Sequence, residues 1–197
     1  RTAVRAWAPG IAAFDPGSPG GLLGFDFHLA ADGPRLIEIN TNPGGVMINA
    51  LLVKAQSLCM PTLSAPAVGE ADVEDAALDV LLAEWNAQTP GGREGLVAIV
   101  DEAPAQQYLH PEFLLFRHLF RSAGIDAVIC DPSELAFAAG RLTHAGEPID
   151  LIYNRLTDFY LQAPELAALR AAYEAGAVVL SPNPHAHALY ADKRNLA

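Results

Sequence analysis

Apolar and polar positions alternate along this chain with two different periods, and the switch between them divides it in two. In the first part, Leu22 to Leu29 and Leu36 to Asn40 are apolar-rich runs flanking the turn Ala31-Asp32-Gly33-Pro34. Asp-Gly between two such runs predicts a β-hairpin over Leu22 to Asn40. On its second strand Glu38 and Asn40 stand two apart and share a face, which turns Ile37 and Ile39 the other way, into the expected core. Thr41-Asn42-Pro43-Gly44-Gly45 then predicts a loop, and Val46 to Leu58 has helical spacing. Pro61 to Gly69 has the composition of a linker. Asp72 to Asn86 predicts a helix with Val73, Ala76, Ala77, Val80, Leu81 and Trp85 on one side and an acidic face opposite.

Past a second boundary at Thr89-Pro90-Gly91-Gly92 the texture changes to short apolar strands interleaved with amphipathic helices. Strands are expected at Leu96 to Val100, Ile125 to Cys130, Ile149 to Tyr153 and Ala177 to Leu180. Helices are expected at Pro111 to Ser122 and Pro164 to Ala175, with a polar hairpin-like insertion from Gly140 to Gly146. Such alternation predicts an α/β fold whose mainly parallel sheet is covered on both faces. Ligands of such sheets sit at the carboxyl ends of the strands. No internal repeat or low-complexity tract stands out.

Composition narrows the partners. Twelve Lys+Arg against 23 Asp+Glu leave a formal charge of −11, the wrong sign for a counterion-releasing nucleic-acid surface or an anionic membrane. With 51% hydrophobic and 18% charged residues over 197 positions, the chain can bury a sizeable core, one domain's worth or somewhat more. No apolar run approaches the roughly 18 residues of a spanning helix. Cys59 and Cys130 stand in unrelated contexts without a CxxC, which suggests no disulfide framework or zinc site and makes a reducing cytoplasm the default. The start at Arg1-Thr2-Ala3 and the stop at Asp192-Lys193-Arg194-Asn195-Leu196-Ala197, which reads as a helix beginning, are expected not to be natural ends.

The chemistry-bearing residues concentrate between Asp26 and Gly45. Asp26 on one strand, with Glu38 and Asn40 on the next, would bring two carboxylates and an amide oxygen together, a donor set suited to Mg²⁺ completed by water and substrate phosphates. The plainer alternative is three solvated polar residues on the outer face of an ordinary hairpin. Pro43-Gly44-Gly45 opens a helix whose free N–H groups suit a carboxylate or phosphate. Arg155, at the end of the Ile149 strand, is placed to clamp an anionic substrate group, or else is a surface arginine paired with Asp158. Lys54 and Lys193 are the chain's two lysines, so Lys193 is singled out as a contact for a nucleotide phosphate, against a solvated helix position.

Weaker candidates are His185-x-His187, just after Pro182 and Pro184, which predict a loop, and Asp101-Glu102 just past the Leu96 strand. Cys130 reads as a packing residue. No Gly-x-Gly-x-x-Gly, Walker or Gly-x-Ser-x-Gly sequence is present, which disfavours dinucleotide, P-loop and hydrolase readings.

The run Asp26 to Gly45, with its Asp, Glu-Ile-Asn and Pro-Gly-Gly, resembles the metal-binding hairpin of ATP-grasp ligases. Its position ahead of an α/β unit resembles the circularly permuted branch typified by eukaryotic-type glutathione synthetase. The similarity continues through Gly95 to Cys130, through Leu151-Ile152-Tyr153-Asn154-Arg155, and through Gly176 to Lys193, so it covers most of residues 22–197. The resemblance implies a permuted ATP-grasp terminal segment over 1–60, a linker and amphipathic helix over 61–94, a Rossmann-like substrate domain over 95–190 and the start of a nucleotide lobe over 191–197.

It further implies an ATP- and Mg²⁺-dependent carboxylate–amine ligase acting through an acyl phosphate, with an isolated 197-residue piece inactive. Asp26, Glu38 and Asn40 would hold the metal, and Lys193 would contact ATP. Asn42, Gly44, Gly45 and Arg155 would face the substrate, Arg155 also acting in catalysis. The partners implied are small-molecule carboxylates and amines, with a homodimer left open. Gly24, where these families commonly carry an Arg, implies a substrate other than that of glutathione synthesis. A non-catalytic small-molecule-binding module with a purely structural hairpin is the competing expectation.

Overall fold

A computed structural model of the chain describes residues 8–59, 73–90 and 95–193. It is a mixed α/β structure with eight strands in two sheets and five α-helices among the described residues. The Pro61 to Gly69 linker, Gly91-Gly92 and the residues past Lys193 lie outside them.

The first sheet is the hairpin of β1 (Gly24–Ala30) and β2 (Gly33–Asn40). Gly33 pairs with Ala30 at φ +124°, so the turn is only Ala31-Asp32, tighter than the four residues expected. Asp26 sits directly opposite Glu38, and Gly24 opposite Asn40. The register then shifts, so that Phe27 faces Leu36 and Ile37 is an extra, unpaired residue. Ile37 is 49% exposed, as are Phe25 and Phe27 to about the same degree. The expected burial of Ile37 and Ile39 is therefore corrected: the hairpin stands off the main core, and its apolar face borders solvent among the described residues.

The second sheet carries the core. Strands β3 (Leu96–Val100), β4 (Ala127–Cys130), β7 (Glu147–Asn154) and β8 (Val179–Ser181) run parallel. The remaining pair, β5 (Leu135–Ala138) and β6 (Arg141–His144), runs antiparallel, with β6 joined to the start of β7. The sheet is thus mixed in direction: the expected parallel strands form its central part, and the antiparallel β5–β6 pair is added at one side. The polar stretch Gly140 to Gly146 supplies a sheet strand, because left-handed turns at Ala139-Gly140 and Ala145-Gly146 fold it back on both sides.

Period-2 alternation within the parallel strands builds two cores. Ala98, Val100, Ile152 and Leu180 face Leu169 and Tyr173 of α4 (Ala167–Glu174). Val97, Ile99, Leu151 and Tyr153 face Leu81 and Trp85 of α2 (Val73–Gln88) and three phenylalanines of α3 (His110–Ser122). Helix α1 (Val46–Cys59) adds Met47 to this second face. The stretch 9–20 joins the other end of the molecule: Ile11 lies in the first core, and the Tyr173 hydroxyl donates to Phe14 O at 3.2 Å.

Two expectations about helices change. The acidic face of α2 is not wholly solvated, since Glu84 is buried and both its oxygens accept from Gly20 N at 3.0 Å. Val73 and Ala76 point outward instead. The segment expected as a loop around Pro182 and Pro184 contains a short helix, α5 (Pro184–Tyr190). Pro184 occupies its first turn and the Asn183 side chain caps it by accepting from Ala186 N at 2.8 Å. Lys193 follows this helix. No helix among the described residues is long and apolar enough to cross a membrane.

Candidate functional site

Two polar clusters flank the stretch 38–45. The first lies on the hairpin. Because Asp26 opposes Glu38 across the antiparallel pair and Asn40 is two residues further on, all three belong to one face. Lys193, 155 positions after Glu38 in sequence, reaches this face and places Nζ 2.9 Å from Glu38 Oε2. Its ammonium is held above the usual lysine range, first by the hydrogen bond to Glu38 and then by the charges of Glu38 and Asp26. Both partners of the pair are solvent-accessible.

The donor chemistry of this face fits Mg²⁺ in its open form, in which one or two carboxylates are completed by water and phosphate oxygens. Asn40 Oδ1 already accepts from Asn42 N at 2.9 Å, which fixes its direction and leaves a second lone pair. No group of three or more His, Cys, Asp or Glu side chains poised for a metal occurs among the described residues. Asp26, Glu38 and Asn40 therefore make a two-carboxylate half-site and not a closed protein cage.

The second cluster lies where the loop after β2 crosses the carboxyl ends of β3 and β7. Arg155 extends β7, its N–H donating to Val100 O at 2.9 Å, and it is 8% exposed. Its guanidinium latches the loop. Nη1 donates to Asn42 Oδ1, to Pro43 O at 3.1 Å and to the Tyr153 hydroxyl at 3.4 Å. The Asn42 amide returns a bond to Leu156 O at 3.2 Å. Asp158 is not its partner: that carboxylate accepts from the backbone N–H groups of Tyr160, Gln162 and Ala163. Arg155 is thus a buried, loop-holding cation at the strand ends.

Gly44 packs closely beneath Leu109 in this docking, and Gly45 takes a left-handed conformation that favours glycine. A Cβ on Gly44 would stand 2.5 Å from Leu109 Cδ1 and 3.5 Å from Arg155 Nη2, and Gly45 has φ +86°. The loop also carries Thr41, which is buried and pairs through Oγ1 with His187 Nδ1 at 2.7 Å. The His187 ring stacks on Phe159 at 4.0 Å and meets the edge of Tyr160. Burial pushes its pKa down to about 4, so the ring is neutral at pH 7 and serves as a hydrogen-bonding and stacking group.

The weaker candidates separate cleanly. Asp101 lies near Arg155 at the end of β3, and burial raises its carboxyl to about 6 against the opposing pull of the Glu102 N–H and of Arg155. Cys130 is buried in the core with its thiol raised to about 12, a packing residue. His185 and His187 point to different partners, Ala12 O and Thr41 Oγ1, and do not form a pair of ligands.

Sequence reasoning passed over Thr41, Tyr153 and Glu112, each buried against this loop or beside Arg155. For α5 a signal was present: Asn183-Pro184 is an N-cap followed by a first-turn proline. For Thr41 none was, since its partner lies 146 residues away.

No protein-family model matches the chain, and no curated protein matches it.

Proposed function

We propose that this chain is the metal-hairpin and substrate-domain part of an ATP- and Mg²⁺-dependent carboxylate–amine ligase of the circularly permuted ATP-grasp type. The observation that carries the proposal is the meeting of Lys193 with Glu38, opposite Asp26, on a hairpin whose trailing loop is gripped by Arg155. A nucleotide-side set and a substrate-side set thereby adjoin through one continuous segment, 38–45. In such a ligase a substrate carboxylate oxygen attacks the γ-phosphorus and ADP leaves. The resulting acyl phosphate is opened by an amine, whose nitrogen bonds the carbonyl carbon as phosphate departs.

Asp26, Glu38 and Asn40 are the metal's holders in this reading. Mg²⁺, when bound, supplies neutralisation of the phosphate charge. Lys193 contacts a phosphate oxygen as a point charge. Asn42, Gly44 and Gly45 shape the substrate wall. Arg155 keeps that wall in register with the strand ends and presents its remaining N–H groups to an anionic substrate group. The Rossmann-like character of the substrate domain is supported by the parallel β4-β3-β7-β8 core, with helices on both faces.

The test is ADP formation by the product of the whole reading frame, screened with panels of carboxylic acids and amines. The expected result is Mg²⁺-dependent ADP release requiring both substrates and falling at least 100-fold in Glu38→Ala, on the scale of losing a charge-stabilising group. Activity untouched by that substitution would sink the assignment. A nucleotide-independent change in thermal melting with small acids, and no response to Mg²⁺-ATP, would instead favour a binding module.

A further inference from the structure

A hollow lies at the end of the sheet opposite the candidate site. The amino ends of β3, β4 and β7 border a cavity of about 490 Å³, within the roughly 300–1,000 Å³ of small-molecule sites. The five residues of β3 lie between it and the Arg155 latch, a separation of about 16 Å. Trp85 of α2 closes the floor and is 1% exposed, while Leu96, Val128 and Pro148 form half-buried apolar walls. The indole N–H of Trp85 has no hydrogen-bond partner among the described residues.

Three charged side chains ring this apolar hollow: Arg121, Asp126 and Glu147. All are exposed, and no ion pair among the described residues uses any of them. Their charges are therefore available to a ligand, and two carboxylates outweigh one guanidinium. The carboxyl-terminal end of α3, which contributes Arg121 and the turn residue Gly124 to the wall, adds the negative end of a helix dipole. Asp150, which accepts from Gly95 N at 2.7 Å, puts a further carboxylate behind the rim. An anionic guest would meet net repulsion here. A cation with an apolar body matches both parts, since the walls favour burial of hydrocarbon and the rim favours positive charge.

We propose that this hollow is a ligand site of its own, selective for a small organic cation with an apolar body, of the arylalkylammonium kind. It is remote from the hairpin and from the Arg155 loop, and it does not rest on the ligase reading. Asp126 and Glu147 hold the ammonium, and the wall over Trp85 takes the apolar part. Arg121 is the opposing charge that limits affinity for the cation.

The experiment is an NMR titration of the chain with benzylammonium chloride, with benzyl alcohol as the neutral control and sodium benzoate as the anionic one. The Trp85 indole N–H and the amides of Gly95, Gly124 and Val128 are the reporters. The expected result is saturable shifts of these signals with benzylammonium, those of Gly44 and Gly45 staying in place, and binding about tenfold weaker for benzyl alcohol. Asp126→Asn and Glu147→Gln should each weaken benzylammonium binding about threefold and together about tenfold, while Arg121→Gln strengthens it about twofold. The wild-type comparison of the three probes decides the charge preference even if a variant folds poorly. No shift with benzylammonium, shifts centred on Gly44 and Gly45, equal or tighter binding of benzyl alcohol or benzoate, or unchanged affinity in the folded double variant would each overturn the proposal.

Discussion

Arg155 shows how one side chain can join distant parts of the sequence. It is held at a strand end by its own backbone bond to Val100 and closes over a loop 112 and 113 positions earlier. A planar fork reaches several acceptors at once, which an ammonium cannot do. Arg155→Lys is therefore expected to keep the charge yet lose the latch, destabilising the chain by about 1–3 kcal/mol, measured by urea unfolding. A cost near zero would mean that the loop is held by other contacts. His187 belongs to the same scale. Its ring is held at about 4 against an ordinary 6.5, so between those values the unfolded chain binds a proton that the folded chain does not. Stability from this group is present above pH 6.5 and is lost as pH falls toward 4. Asp101, raised from 3.8 to about 6, acts in the opposite sense and costs stability as pH rises through 6. His187→Asn should accordingly lose less stability than wild type between pH 7 and pH 4.5, and an unchanged slope would refute the role given to the ring.

At the scale of elements, the parts differ in how readable they were. The run Leu96 to Val100 is a strand with the expected bounds, because five apolar residues between turn formers leave little choice. The hairpin was legible from Asp-Gly, and its polar face from the spacing of Glu38 and Asn40. What could not be read is what each face meets. Ile37 was expected in the core and is the extra residue of a bulge; Glu84 was expected in solvent and receives Gly20 from 64 positions away. The Glu84 contact anchors the close approach of the segment 9–20. Gly20 has φ +113°, and a Cβ there would run into Ala186. Gly20→Ala is expected to cost at least about 2 kcal/mol through strain and overpacking together. The Lys193–Glu38 pair makes the contrasting case. Both partners are well exposed, so Lys193→Met should leave the unfolding midpoint nearly unchanged. A large loss would show that the pair is structural rather than available to a ligand.

Over the whole molecule, the charge of −11 gives each cation individual weight. Lys193 meets the carboxylates of the hairpin, and Arg155 meets the loop that follows it, so the two cations mark the two ends of segment 38–45. The overall picture is a two-faced α/β core that presents this segment along its strand ends, with the hairpin standing beyond it. The most direct measurement of the central claim is paramagnetic: Mn²⁺ added in small amounts to the chain, with amide signals followed by NMR. The account predicts broadening centred on Asp26, Glu38 and Asn40, reversed by excess Mg²⁺ and abolished in Glu38→Ala. Broadening centred instead on the acidic residues near Asp101 and Asp131, or unaffected by Glu38→Ala, would contradict it.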